Sequence, residues 1–135
     1  MNTQLSDEGA KVTVPKIRVE TQCWYLAEQS SPNEHRFAFS YTISIHNDGS
    51  EPAQLMTRHW LITDADGKVQ EVHGDGVIGN QPVIKPGEHH TYSSGAIIET
   101  PVGTMEGRYG MVTSDGSDFD APIPVFRLAV PGVLN

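Results

Sequence analysis

The sequence predicts an all-β protein, an antiparallel β-sandwich of seven or eight short strands. Three observations predict it. Phe37, Phe39, Tyr41, Ile43 and Ile45 alternate with Arg36, Ala38, Ser40, Thr42, Ser44 and His46, and a period of two with aromatic and β-branched residues on one face is a strand with one side buried. Turn signals built from Gly, Pro, Asn, Asp and Ser recur roughly every 8–15 residues. No window sustains a 3.6-residue period and no internal repeat is evident, so helices do not separate the strands and the sheets must be antiparallel.

Residues 1–11 are polar, with little to bury, and read as a mobile tail. Residues 12–135 form a single domain. The first strand spans 12–23, where Ile17, Val19 and Thr21 alternate with Arg18, Glu20 and Gln22. Val12 and Val14 fall out of that phase with Pro15 between them, so the strand is expected at an edge or kinked. A loop over 25–34 carries the turn signal Ser30-Ser31-Pro32-Asn33. The clearest strand follows and ends at Asn47-Asp48-Gly49-Ser50. A strand over 54–64, centred on Trp60 and Ile62, leads through the hairpin signal Asp64-Ala65-Asp66-Gly67 to a return strand over 68–73. After a glycine-rich segment, Ile84-Lys85-Pro86-Gly87 makes a turn, and strands follow over 88–99, 104–113 and 121–130. Pro122, Pro124 and Pro131 assign the last strand to an edge, because proline donates nothing to a ladder. The run Glu106-Gly107-Arg108-Tyr109-Gly110-Met111 resembles a tyrosine corner, and Trp60 is placed as a core tryptophan. Both features favour an immunoglobulin- or fibronectin-III-like sandwich.

At 135 residues the chain is long enough for one core without a metal or disulfide. Its 37% hydrophobic and 19% charged residues are those of a globular protein. The net charge of −8 argues against nucleic acid as partner and against an anionic membrane surface, since both are bound by clustered Lys and Arg. Cys23 is the sole cysteine, which excludes an intramolecular disulfide and a multi-thiolate zinc site; beside Trp24 it reads as a small buried hydrophobe. The N-terminus lacks the apolar segment of a signal peptide, and no stretch approaches the about 18 apolar residues of a membrane span. A cytoplasmic location is the default expectation.

The candidate chemistry centres on His73-Gly74-Asp75-Gly76-Val77-Ile78-Gly79-Asn80-Gln81-Pro82. It contains Gly-x-Gly-x-x-Gly, which in a dinucleotide fold opens a helix whose N-terminus meets a pyrophosphate. Here Pro82, the β-branched Val83 and Ile84, Pro86 and Gly87 preclude that helix, and no Lys-Ser/Thr pair follows to make a Walker loop. Asp64, Asp66, Glu71 and Asp75 would repel a phosphate. The plain reading is a turn between strands whose glycines supply positive φ; an anion loop of backbone N–H groups is the alternative. Of the six histidines, none is paired at i, i+2 on a strand face; His73 could meet His89 or His90 across strands, with Asp75 as an oxygen ligand. No metal-ligand set, cofactor site or catalytic residue is assigned. Ser93 and Ser94 near His89 and His90 lack a nucleophile elbow.

Seven runs carry a family resemblance: Tyr41-Thr42-Ile43-Ser44-Ile45-His46-Asn47; Gln54-Leu55-Met56-Thr57-Arg58-His59-Trp60-Leu61-Ile62-Thr63-Asp64; Val77-Ile78-Gly79-Asn80-Gln81-Pro82; Pro86-Gly87-Glu88; Tyr92-Ser93-Ser94-Gly95; Met105 to Met111; and Ile123-Pro124-Val125-Phe126-Arg127-Leu128. In these runs, from Phe37 onward, the chain resembles the ApaG family. The resemblance implies an immunoglobulin- or fibronectin-III-like sandwich and no established enzymatic activity. It implies a link, by phenotype, to cobalt tolerance and magnesium efflux. Related domains in F-box proteins and in a DNA-polymerase-interacting protein are taken to mediate protein–protein contact. No catalytic residue is transferred.

The sequence therefore points to a non-enzymatic cytosolic module that binds an unidentified protein partner. The expected contact region is Arg58, His59, Gly74, Asp75, Gly76 and Gly79, residues that mix charge, polarity and adaptable backbone. The chain is expected to be a monomer or a weak homodimer through an edge strand. The competing reading is a small-ligand binder, for pyrophosphate, a nucleotide or a divalent cation, using loop 73–82.

Overall fold

A computed structural model describes residues 15–133. Eight strands occupy them: β1 Ile17–Tyr25, β2 Phe37–Asn47, β3 Ala53–Asp64, β4 Val69–Asp75, β5 Val83–Ile84, β6 His89–Ile98, β7 Val102–Thr113 and β8 Asp118–Ala129. Every pairing is antiparallel. One sheet has the order β1-β2-β6; the other has β4-β3-β7-β8, with the short β5 continuing the β4 edge along β3. The expected sandwich is present. The mobile tail and the out-of-phase Val12 and Val14 lie outside the described residues.

The alternation read from the sequence is the burial pattern. Phe37, Phe39, Tyr41, Ile43 and Ile45 of β2 face the core, with Leu55, Trp60 and Ile62 of β3 and Met105, Tyr109 and Met111 of β7 opposite them. Trp60 is a core residue, as expected, with Tyr41, Tyr109 and Phe126 in edge-on contact at ring-centroid distances of 5.4, 6.4 and 6.0 Å. Strand bounds depart from the sequence reading in places: β4 runs on to Asp75, Val83–Ile84 is a short strand, and β8 begins at Asp118. β1 runs on to Tyr25, which pairs Phe39, because Cys23 and Tyr25 keep the inward phase of Val19. Cys23 is only half-buried; its thiol donates to the Arg127 carbonyl (3.1 Å), and burial raises its pKa. Trp24 is 51% exposed on the opposite face.

The tyrosine corner is also replaced. Instead of reaching its own backbone upstream, the Tyr109 hydroxyl meets that of Tyr92 across the sandwich at 2.5 Å. Both lie in the core, where burial pushes both phenol pKa values up. Each hydroxyl satisfies the other where water is excluded.

Turns end the strands for stated reasons. Asp64 Oδ1 accepts the N–H groups of Asp66 and Lys68 (2.9 Å each), and Gly67 takes φ 84°, so the β3–β4 hairpin is fixed at its tip. Buried Asn47 donates to the carbonyls of Glu51 and Ile84 and accepts from Gly49 N, so its amide binds three segments together. On one side the sandwich is closed by contact between β1 and β8. On the other side lie β6 and β4, bridged by Gln70 Nε2 donating to Ile97 O (3.0 Å). Among the described residues β4 pairs only with β3, and its burial pattern is exposed at every position but Gly74.

Candidate binding cleft on the four-strand sheet

The site is arranged by one irregularity in β3. The register against β7 shifts between Leu55 and Thr57, leaving Met56 as an extra residue. A bulge of this kind turns a carbonyl out of the ladder. Met56 O accepts from Gly76 N (2.8 Å) and Gln81 Nε2 (3.0 Å), so the bulge holds both ends of the glycine loop. Beyond the bulge the alternation resumes, with Arg58 in phase with buried Trp60 and Ile62 and with His59 on the opposite, outer face.

The glycine segment is the strand-to-strand turn that the plain reading expected. Gly76 and Gly79 have φ of 62° and 76°. Val77 and Asn80 exchange both backbone hydrogen bonds (2.8 and 2.9 Å) around Ile78 and Gly79. With Ile78 also at positive φ (47°), this is a tight two-residue turn of the primed type. A Cβ on Gly76 would meet Asn80 O at 2.2 Å. Gly74 is different, because it belongs to β4, opposite Arg58. A Cβ there would strike the Arg58 guanidinium at 2.6 Å, so the missing side chain is what lets Arg58 lie across β4. Arg58 Nη1 donates to the carbonyls of Asp75 and Gly76, 3.0 Å each. The N–H groups of Gly76, Val77 and Asn80, which an anion cradle would use, are bonded internally.

On the outer face, His59 is directly opposite His73. Their rings stack at 4.2 Å with a 26° tilt. One oxygen of Glu71, two residues before His73, accepts from His59 Nε2 (2.6 Å) and from His73 Nε2 (3.0 Å). The His59 hydrogen bond, then that of His73, holds the Glu71 carboxyl below its ordinary value. His59 Nδ1 is buried without a hydrogen-bond partner among the described residues. Beside this trio is an open cleft of about 360 Å³, lined by Thr57, Arg58, His59, His73, Gly74, Asp75, Arg108, Gly110 and Asp120. Arg108 and Asp120 are 3.8 Å apart on its far rim.

Of the residues expected at the site, the structure brings Arg58, His59, Gly74 and Asp75 into one cleft. Gly76 and Gly79 shape the adjoining turn and do not line it. The expected partners of His73 are corrected: His89 and His90 belong to β6 of the other sheet, where His89 stacks on His46, whereas His73 faces His59. Sequence reasoning missed Arg108 and Asp120 as cleft residues, and missed the His59–His73 pairing with Glu71 beside it. Counting outward from Asp64 and Lys68, the pair that closes a three-residue tip, places 59 opposite 73.

Comparison with known proteins points in one direction. A family model described as the ApaG domain matches residues 27–113. A Pseudomonas aeruginosa protein named Protein ApaG is 60% identical over 119 residues, covering 88% of this chain and 93% of that one. A crystal structure from Bordetella pertussis, described as an ApaA protein, superposes with a TM-score of 0.86 at 45% identity, covering 90% of this chain and 99% of that one. An X-ray structure from a structural genomics consortium superposes with a TM-score of 0.83 at 52% identity, covering 87% and 89%.

Proposed function

The chain belongs to the ApaG family, and we propose that it acts there as a non-enzymatic module that binds a protein partner along its open sheet edge. The observation that carries this reading is β4. It is an edge strand whose outer ladder has no pairing strand among the described residues. Protein edges are commonly protected by proline, lysine or a covering element. β8 has Pro122 and Pro124, and β1 rests against β8, but β4 has no proline and no lysine in its span. Val69 and Val72 on β4, Ile78 in the turn and Val83 on β5 are exposed apolar side chains along the same edge.

Such an edge suits addition of an extended segment, with main-chain hydrogen bonds giving affinity and flanking side chains giving selectivity. The cleft of Thr57, His59, Asp75 and Arg108 adjoins it and offers polar selection. The net charge of −8 favours a partner that presents cationic residues. The role is cytosolic in this reading, and the family resemblance ties it to cobalt tolerance and magnesium efflux.

The test is affinity capture from cell extract with the wild-type chain and with a Val69→Lys/Val72→Lys variant. Wild type is expected to retain a partner that the variant loses, because a charged edge resists strand addition. Equal capture by both, or none by wild type, would remove the edge-docking function. Sedimentation of the purified chain decides whether the partner along β4 is a second copy of itself.

A further inference from the structure

We propose that His59, Glu71 and His73 form an open-sided binding site for a divalent transition ion of the Zn²⁺ class. The site is independent of docking along β4, so either reading can fail without the other. Three donor atoms, one from each residue, lie within 4.8 Å of one another, the one such group of His, Cys, Asp and Glu among the described residues. Both imidazoles present Nε2 to the same carboxylate oxygen. The stacked rings keep the two nitrogens pointing the same way. The framework is rigid, since residues 59 and 73 are a direct cross-strand pair and 71 shares the face of 73.

The donor set selects the ion. Two imidazole nitrogens and one carboxylate suit Zn²⁺ and its neighbours, whereas Mg²⁺ and Ca²⁺ require oxygen ligands. Bond lengths of about 2.0–2.2 Å put tetrahedral ligands about 3.3–3.6 Å apart, so the 2.6 and 3.0 Å contacts to Glu71 open when an ion enters, by rotation of the exposed Glu71 and His73 side chains. Three protein ligands leave a coordination position open toward the cleft, where Asp75 and Arg108 lie, and water or a small anion completes it.

The proton balance is simple. In its neutral form and without the ion, each imidazole donates its Nε2–H to Glu71. On binding, each imidazole moves that proton to Nδ1 and gives the Nε2 lone pair to the metal, so neither ring changes charge. At His73, which is 65% exposed, the new Nδ1–H meets water. At His59 it has no acceptor among the described residues. Loss of such outer support weakens a site by about 10–100-fold. The site is accordingly a weak, exchanging one and not a structural zinc.

The experiment titrates Zn²⁺, with Mg²⁺ in parallel, into the untagged full-length chain, read by calorimetry and by imidazole ¹⁵N resonances. The expected result is one Zn²⁺ per chain at micromolar affinity, with the Nε2 resonances of His59 and His73 moving and Mg²⁺ moving neither. His73→Ala and Glu71→Gln, both at exposed positions and checked for unchanged thermal unfolding, should lose the site. His89→Ala, in the other stacked histidine pair, should keep it. No binding at submillimolar Zn²⁺, binding that survives His73→Ala, or binding that His89→Ala abolishes would overturn the proposal and leave the trio as a hydrogen-bond cluster.

Discussion

At the scale of single residues, the loop that looked like a nucleotide fingerprint is governed by φ. Gly76 and Gly79 satisfy the turn, but Ile78 occupies the left-handed region at 47°, where a β-branched side chain is disfavoured by about 1–2 kcal/mol. Its side chain is 60% exposed and contributes little packing in exchange. Ile78→Asn should therefore raise stability by about 1 kcal/mol, seen as a later urea midpoint with an unchanged slope; an earlier midpoint would show that Ile78 is held for packing or contact. Glu71 gives a pH signature. Its folded carboxyl lies below the ordinary value of 4.5 because His59 and then His73 donate to it. The folded state thus binds that proton more weakly than the unfolded chain. Its contribution is fully present above pH 4.5 and is lost as the pH falls through the lower folded value. Wild type should lose stability below pH 4.5 more steeply than Glu71→Gln, compared by denaturant midpoints in steps of pH. Asp48 and Asp115, also held low by Arg18 and by Thr113, are common to both proteins and cancel in the comparison.

Between elements, the hydroxyl pair of Tyr92 and Tyr109 joins the two sheets inside the core. Removing one partner strands the other without water. Tyr92→Phe is expected to destabilise by about 1–3 kcal/mol, whereas the double change to Phe should be nearly neutral; a double-mutant cycle from thermal or urea unfolding measures the difference. A pair that adds instead of compensating would mean that the bond contributes little. The same scale shows what was legible. β2, β3 and the β3–β4 hairpin follow from alternation and from Asp64 and Gly67, because local sequence encodes local geometry. The Met56 bulge was not legible, since methionine is no turn residue and the bulge is set by where β7 and the loop meet β3. The tyrosine pair was not legible either, because periodicity fixes which face is buried and not which side chains meet across two sheets. The His59–His73 pair falls between these cases: its register was implicit in the hairpin, but Glu71 acquires a role only once both rings stand over it.

For the whole molecule, the two long sides of the sandwich differ. One is sealed where β1 rests on β8, and the other carries the open β4 edge. β7 is flanked by β3 and β8, and its residues Met105, Tyr109 and Met111 are fully buried. Native-state hydrogen exchange should find β7 amides opening only with global unfolding, with unpaired β4 amides exchanging orders of magnitude faster. Protection of β4 comparable to β7 in a dilute sample would mean that something already covers the edge. That edge and the polar cleft beside it carry the functional reading, and the fold serves to present them side by side on one rigid sheet.

The chain has two tryptophans, and they sit in opposite surroundings: Trp60 is 2% exposed among aromatic rings, and Trp24 is 51% exposed on β1. The molecule therefore carries two built-in optical probes of different colour. A soluble quencher such as acrylamide should extinguish the redder emission of Trp24 first and leave the blue emission of Trp60, which lies one residue from His59. With Trp24→Phe, the remaining light would report on the interior next to the cleft, so occupancy of the outer face could be followed without attaching any label.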